Sequence, residues 1–295
     1  MILNVSGRTD VVAFYTDWFM KRYEEGFLDV ANPFNPKLIS RIYMEDVDAI
    51  LFCTKNPRPI VDKLKLIDKP IIFQVTLTPY KKEIEPNVPS KKDVILAIKD
   101  VSKILGRENV YVRYDPIFLS EKYDVDYHIR AFDRMCSLLE GYVDKIIVSF
   151  LDDYKNVRKN MKILQVKDFT EQDYEKIGRS FSDSAKRHGM SVQTCFEERN
   201  LVEYGFIKGE CISHELAFKL TGKTYKSWAA RKEKKCNCVE MVDVGAYNSC
   251  EHFCKYCYAN YDEKLVHENR RKHDVNSTMI IGRVREDDVI KRRRK

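Results

Sequence analysis

Six short apolar, β-branched runs punctuate the first two hundred residues, each followed by a polar turn and then a helical pattern. The runs are Ile2–Ser6, Val47–Thr54, Pro70–Leu77, Val110–Tyr114, Asp144–Phe150 and Met190–Phe196. Between and after them, apolar residues recur at three- and four-residue spacing over Val11–Tyr23, Pro59–Ile67, Lys92–Leu105, Val125–Glu140, Glu171–Arg187 and His214–Leu220. Alternation at this length predicts βαβ units and a parallel sheet. Strands buried on both faces read as nearly continuous apolar runs, as residues 70–75 and 145–150 do. Without a dinucleotide-type glycine fingerprint, the pattern fits an α/β chain built as a partial (βα)6 TIM-like barrel better than a Rossmann sheet.

In a parallel barrel, functional side chains stand just past the C-terminal ends of the strands. Those ends are polar here, in succession: residues 6–10, 54–57, 76–80, 113–116, 149–153 and 195–198. Arg8, Lys55 and Arg113 are donors suited to a carboxylate or phosphate. Asp115, Asp152, Glu197 and Glu198 are acceptors suited to amines or ribose hydroxyls. Each also has a structural reading: Asp10 as a helix cap, Arg8–Asp10 and Arg113–Asp115 as rim ion pairs. Taken as a set, convergence on one mouth favours function, with Arg8, Lys55, Arg113 and Asp115 as the catalytic candidates.

Near the end of the chain, Cys250, Cys254 and Cys257 stand at C-x3-C-x2-C spacing, with Tyr256 and Tyr258 flanking the last. Three thiolates on one short loop suit an iron–sulfur cube with one iron left open, because a fully protein-ligated cube takes four. A zinc-stabilised loop that borrows His252 or Cys238 also fits. At these residues the sequence resembles the radical S-adenosylmethionine (SAM) superfamily, whose motif is C-x3-C-x-aromatic-C. Tyr247, His252 and the Tyr258–Ala259 pair look like its spore photoproduct lyase-like branch. The chain from Asn4 to the cysteine loop also resembles the domain of unknown function 1848 family, a name that supplies no reaction.

The superfamily resemblance implies a 4Fe–4S cluster on Cys250, Cys254 and Cys257, SAM at its open iron, an external electron donor and hydrogen abstraction from a small-molecule substrate. Tyr256 would pack beside the cluster. The superfamily's glycine-glycine-glutamate element is not apparent, and Asn56, Thr76 and Thr78 at comparable strand ends take its place as cofactor-binding candidates. In that superfamily the cysteine loop follows the first strand, whereas here it follows six βα units. Residues 239–244 look like a strand leading into the loop, which implies a permuted order with this late strand beside Ile2–Ser6.

Four further cysteines, Cys195, Cys211, Cys236 and Cys238, are candidates for an auxiliary site holding a second iron–sulfur cluster or zinc. Cys53 and Cys136 lie on apolar stretches and read as small buried hydrophobes. The division expected is a barrel over 1–235 and a cysteine-rich segment over 236–295 packed on its mouth, within one compact unit. The formal charge is +7, but five positives sit in the terminal run Lys291–Lys295, read as a frayed basic tail. The nearly neutral body argues against tracking a phosphate backbone, leaving nucleic-acid repair or modification, and non-catalytic zinc binding, as alternatives. No apolar run is long enough to span a membrane, no signal-peptide pattern opens the chain, and cysteine usage suits a reducing cytoplasm.

Overall fold

The computed structural model describes residues 1–195, 197, 199, 201–228 and 237–294. The chain begins with β1 (Ile2–Val5), α1 (Val11–Phe14), α2 (Thr16–Glu25), β2 (Phe27–Ala31), β3 (Leu38–Tyr43) and β4 (Ala49–Thr54). A 3-10 run over Arg58–Leu66 leads to β5 (Ile71–Thr76), α3 (Lys91–Leu105), β6 (Val110–Ile117), α4 (Val125–Leu139) and β7 (Lys145–Phe150). Two single turns, α5 (Lys155–Arg158) and α6 (Met161–Leu164), precede α7 (Glu171–Arg187), β8 (Ser191–Cys195), β9 (Ile207–Gly209) and α8 (His214–Thr221). The last elements are β10 (Met241–Asp243), α9 (Glu263–Arg271) and β11 (Val289–Arg292).

Eight strands form one sheet in the order β10-β1-β4-β5-β6-β7-β8-β9, every neighbouring pair parallel. The late strand lies where the permuted reading puts it: Ile2, Leu3 and Asn4 pair with Met241, Val242 and Asp243. The segments next to the two outer strands share one backbone bond, in which Val239 N just before β10 donates to Ile212 O just after β9, at 3.2 Å. One face of the sheet, with Leu3, Val5, Phe52, Phe73, Val112 and Val148, packs on the helices in the main core. The other, with Ile2, Leu51, Ile72, Tyr111, Ile147 and Met241, forms a second core against Ile212, Ala217 and Val239. Burial on both faces is what removes polar alternation from the strand sequences. Phe132 of α4 and Phe181 of α7 stack at 3.7 Å between ring centres, each fully buried. Burying each ring contributes about 2 kcal/mol relative to exposure.

Three departures from expectation follow from local chemistry. The first helix is two, broken at Tyr15, whose φ of −137° is not helical and whose buried hydroxyl donates to Ser249 O at 2.6 Å. Residues 27–43 form an antiparallel hairpin, β2 with β3, around an Asn-Pro-rich loop. The basic tail does not fray where described: β11 pairs in parallel with β3, and Arg292 bridges Glu45 at 2.6 Å and Asp46 at 2.8 Å. Residues 277–284 lie against the first part of the chain. Ser277 O accepts from Trp18 Nε1 at 2.9 Å, and Thr278 O from Asp29 N at 2.9 Å, which packs the segment on α2 and β2. No helix among the described residues is long and apolar enough to cross a membrane.

Candidate metal centre

The turns that leave β1 and β10 press against each other and carry the cysteine loop. A Cβ on Gly245 would meet the Arg8 backbone N at 2.9 Å, so that position requires glycine, and one on Gly7 would meet Asp243 Oδ1 at 2.6 Å and push that carboxylate aside. Asp243 accepts from Gly7 N at 2.7 Å and pairs with the Arg8 guanidinium. Arg8 therefore clamps two strand ends together. The Arg8–Asp10 ion pair, the alternative structural reading of these residues, is not found among the described residues. Asp10 instead joins three elements: Oδ1 caps α1 through Ala13 N at 2.9 Å, while Oδ2 accepts from Lys55 N at 2.8 Å and meets His252 Nε2 at 2.9 Å.

His252 lies between Cys250 and Cys254, and Phe253 beside it takes a φ of +54°, turning the loop back on itself. Loop carbonyls are held by amide side chains. Asn260 Nδ2 donates to Cys250 O at 2.7 Å, Asn156 Nδ2 to Cys257 O at 2.9 Å and Asn160 Nδ2 to Lys255 O at 2.6 Å. Ala259 N donates to Cys257 Sγ at 3.3 Å.

Beneath the loop lies a buried charge network centred on Glu85, which is 1% exposed. Lys55 Nζ donates to Glu85 at 2.9 Å and to Tyr256 OH at 2.7 Å. Thr78 Oγ1 donates to the same carboxylate at 2.6 Å, and Lys91 and the Tyr256 hydroxyl complete its shell. Burial opposes the charge on Glu85, but the two ammonium groups outweigh it and hold the carboxyl at about 2. Burial raises all three loop thiols; Lys55 opposes the rise at Cys254 and Cys257, while Asp10 adds to it at Cys250.

The chemistry of these residues would suit a metal cluster. Burial keeps the thiols protonated until a metal supplies the positive charge that lets them ionise. Three sulfurs on the loop would leave one iron of a cube free of protein. Asn260 Oδ1 and Thr9 Oγ1, on the segments around the loop, are buried without partners. Among the described residues no three His, Cys, Asp or Glu side chains converge on a single ion. A cube does not ask this of its cysteines, because each thiolate binds a different iron.

Of the other candidates, Arg113 pairs with Asp115 at 2.6 Å, as the structural reading allowed. Its Nη1 also reaches Gln74 Oε1 at 3.2 Å and Cys211 Sγ at 3.1 Å. Ser149 donates to Asp115. Thr76 is the register partner of Arg113. Asn56 is engaged in a strand-end turn, its N–H on Thr54 Oγ1 at 2.9 Å, and the Thr78 hydroxyl is consumed by Glu85. Cys195, Cys211 and Cys238 are brought together: the thiols of Cys195 and Cys238 donate to Cys211, and with Arg113 they hold Cys211 well below the usual thiol range. Cys53 is pushed up to about 12 by burial. Cys236, Phe196 and Glu198 lie outside the described residues.

Two acidic residues deserved more weight than the sequence assigned them. Glu85, in the proline-flanked stretch before α3, was not singled out at all. Glu197 was read only as an acceptor, yet burial, with Asp152 and Asp115 nearby, raises its carboxyl to about 8. It accepts from Phe150 N at 2.8 Å. The sole sequence signal for Glu197 is its position just past β8; Glu85, well past the end of β5, carries none.

One protein-family model, described as "Domain of unknown function (DUF1848)", matches residues 2–259. A search of curated proteins finds no match.

Proposed function

We propose, for a chain that belongs to the DUF1848 family, a radical SAM-type iron–sulfur enzyme acting on a small-molecule substrate with an external electron donor. The observation that carries this reading is the seating of the loop Cys250–Cys257 over the ends of β1 and β4 through His252–Asp10 and Tyr256–Lys55. In this reading the sheet closes as a partial (βα) barrel with β10 in the place of the usual first strand. Cys250, Cys254 and Cys257 would hold a 4Fe–4S cluster, which, with SAM at its open iron, supplies one-electron reductive cleavage of SAM and hydrogen abstraction.

The chain's own residues do the rest. Lys55 and Lys91 place positive charge beside the anionic sulfurs, and Glu85 keeps that charge from being in excess. Asp10 and His252 fix the loop against β1 and β4. Arg113 and Asp115 present a donor and an acceptor on the same side of the sheet, suited to the carboxylate, amine or ribose of a ligand. Glu197 carries a proton near neutral pH and can donate it in a hydrogen bond beside that pair. Arg8, occupied by Asp243, holds the turns in place.

Turnover tests the reading. Anaerobically reconstituted, dithionite-reduced protein incubated with SAM is expected to yield 5′-deoxyadenosine, and Cys254→Ala none. A fully loaded protein that leaves SAM intact would overturn it.

A further inference from the structure

We propose that Glu85 is the positioning residue of the cysteine loop and that, with Lys55 and Lys91, it sets the reduction potential of the cluster the loop would carry. The proposal rests on the iron–sulfur reading of the loop and goes beyond it by naming the residue that seats and tunes the centre.

Glu85 stands on the segment against which the loop is laid. Lys255 N donates to Ile84 O at 2.9 Å, Asn87 N to His252 O at 3.2 Å and Asn87 Nδ2 to Glu251 O at 2.7 Å. Ile84 and Val88 share one buried apolar cluster with Cys254 and Tyr256. Between those contacts the Glu85 carboxylate takes four donors at once: Lys55 Nζ at 2.9 Å, Thr78 Oγ1 at 2.6 Å, Lys91 Nζ and the hydroxyl of Tyr256. Tyr256 belongs to the loop, between Cys254 and Cys257, and Lys55 Nζ lies 5.2 Å from the centre of its ring. Main-chain bonds and the carboxylate thus grip the same part of the loop.

An ion pair that served only the fold would match one cation to one anion. Here two ammonium groups share one carboxylate, which leaves one positive charge over beneath the loop. A surplus charge in a largely buried site is costly unless an anion meets it. A cube held by three thiolates is that anion: it carries one net negative charge when oxidised and a second after reduction. Lys55 and Lys91 therefore favour the added electron, and Glu85 limits how far. Removing the carboxylate's charge and removing one ammonium act in opposite directions on the potential. A purely structural role has no reason to change sign between the two.

The test is a redox titration of the anaerobically reconstituted full-length protein, followed by electron paramagnetic resonance. Glu85→Gln is expected to raise the equilibrium constant for one-electron reduction about tenfold, or about 59 mV in potential, and Lys55→Met to lower it by a similar factor. Potentials unchanged from the parent in both variants, or moved the same way, would overturn the proposal. The seating of the loop is read on iron-free protein. There Glu85→Gln is expected to speed alkylation of Cys254 about tenfold, while Glu83→Gln, at an exposed carboxylate of the same segment, leaves it unchanged. An unaltered rate in Glu85→Gln would overturn the positioning role. A parent chain that takes up no iron sinks the proposed function and the tuning of its cluster, and the alkylation rate still decides the seating. A cluster indifferent to SAM counts against the proposed function and leaves this proposal standing.

Discussion

Glu197 and Glu85 share a side chain and are driven in opposite directions. At Glu85 two lysines overcome burial and the carboxyl titrates at about 2; at Glu197 burial, with Asp152 and Asp115 close by, lifts it to about 8. The consequence for stability has opposite sign. Between the ordinary glutamate value of 4.5 and about 8, folded Glu197 keeps a proton that the unfolded chain has lost. Its contribution is therefore full below the unfolded value and declines as pH rises through that window. Glu85 does the reverse, contributing above 4.5 and losing its contribution as pH falls toward 2. Glu197→Gln is thus expected to flatten the fall in thermal midpoint between pH 5 and pH 8; a slope identical to that of the parent chain would contradict the assignment. Neither carboxyl's behaviour could be read from sequence, because the groups that set it come from other strands.

The cysteine loop is held at its two ends of travel, by His252 on Asp10 and by Tyr256 on the Lys55–Glu85 pair. Removing one anchor lowers the free energy of local opening, and each 1.4 kcal/mol is a factor of ten in the open population. His252→Ala is expected to raise the alkylation rate of the loop thiols in metal-free protein by about tenfold with the circular dichroism unchanged; an unaltered rate would mean the anchor does not restrain the loop. At this scale much was legible. Continuous apolar runs located six parallel strands, and Val239–Val244 foretold β10, which pairs with β1. What escaped was short or dependent on distant partners: the three residues of β9, the β2–β3 hairpin behind its Asn-Pro loop, and β11, whose basic residues gain order only by meeting β3, Glu45 and Asp46.

Across the whole molecule, one parallel sheet carries two cysteine groups. Cys250, Cys254 and Cys257 lie on the loop over the ends of β1 and β4, and Cys195, Cys211 and Cys238 at the end of β8, just after β9 and just before β10. Lys55, Asp115 and Arg113 run between them: Lys55 feels Cys254 and Asp115, and Arg113 touches Cys211. The cysteine spacing announced the first group in advance. The meeting of the second was visible only as nearness along the chain, since its contacts require β8, β9 and β10 to be in place. Past residue 235 the chain adds a strand to each sheet, β10 to the main one and β11 to the hairpin one. The central claim is an open-iron cluster on the loop. Its most direct test is anaerobic iron–sulfur reconstitution, with iron and sulfide counted and the reduced protein examined by electron paramagnetic resonance with and without SAM. About four irons per chain on the loop, with a signal that changes on adding SAM and vanishes in Cys254→Ala, is the predicted result. Zinc without iron at the loop, or a cluster signal indifferent to SAM, would contradict it.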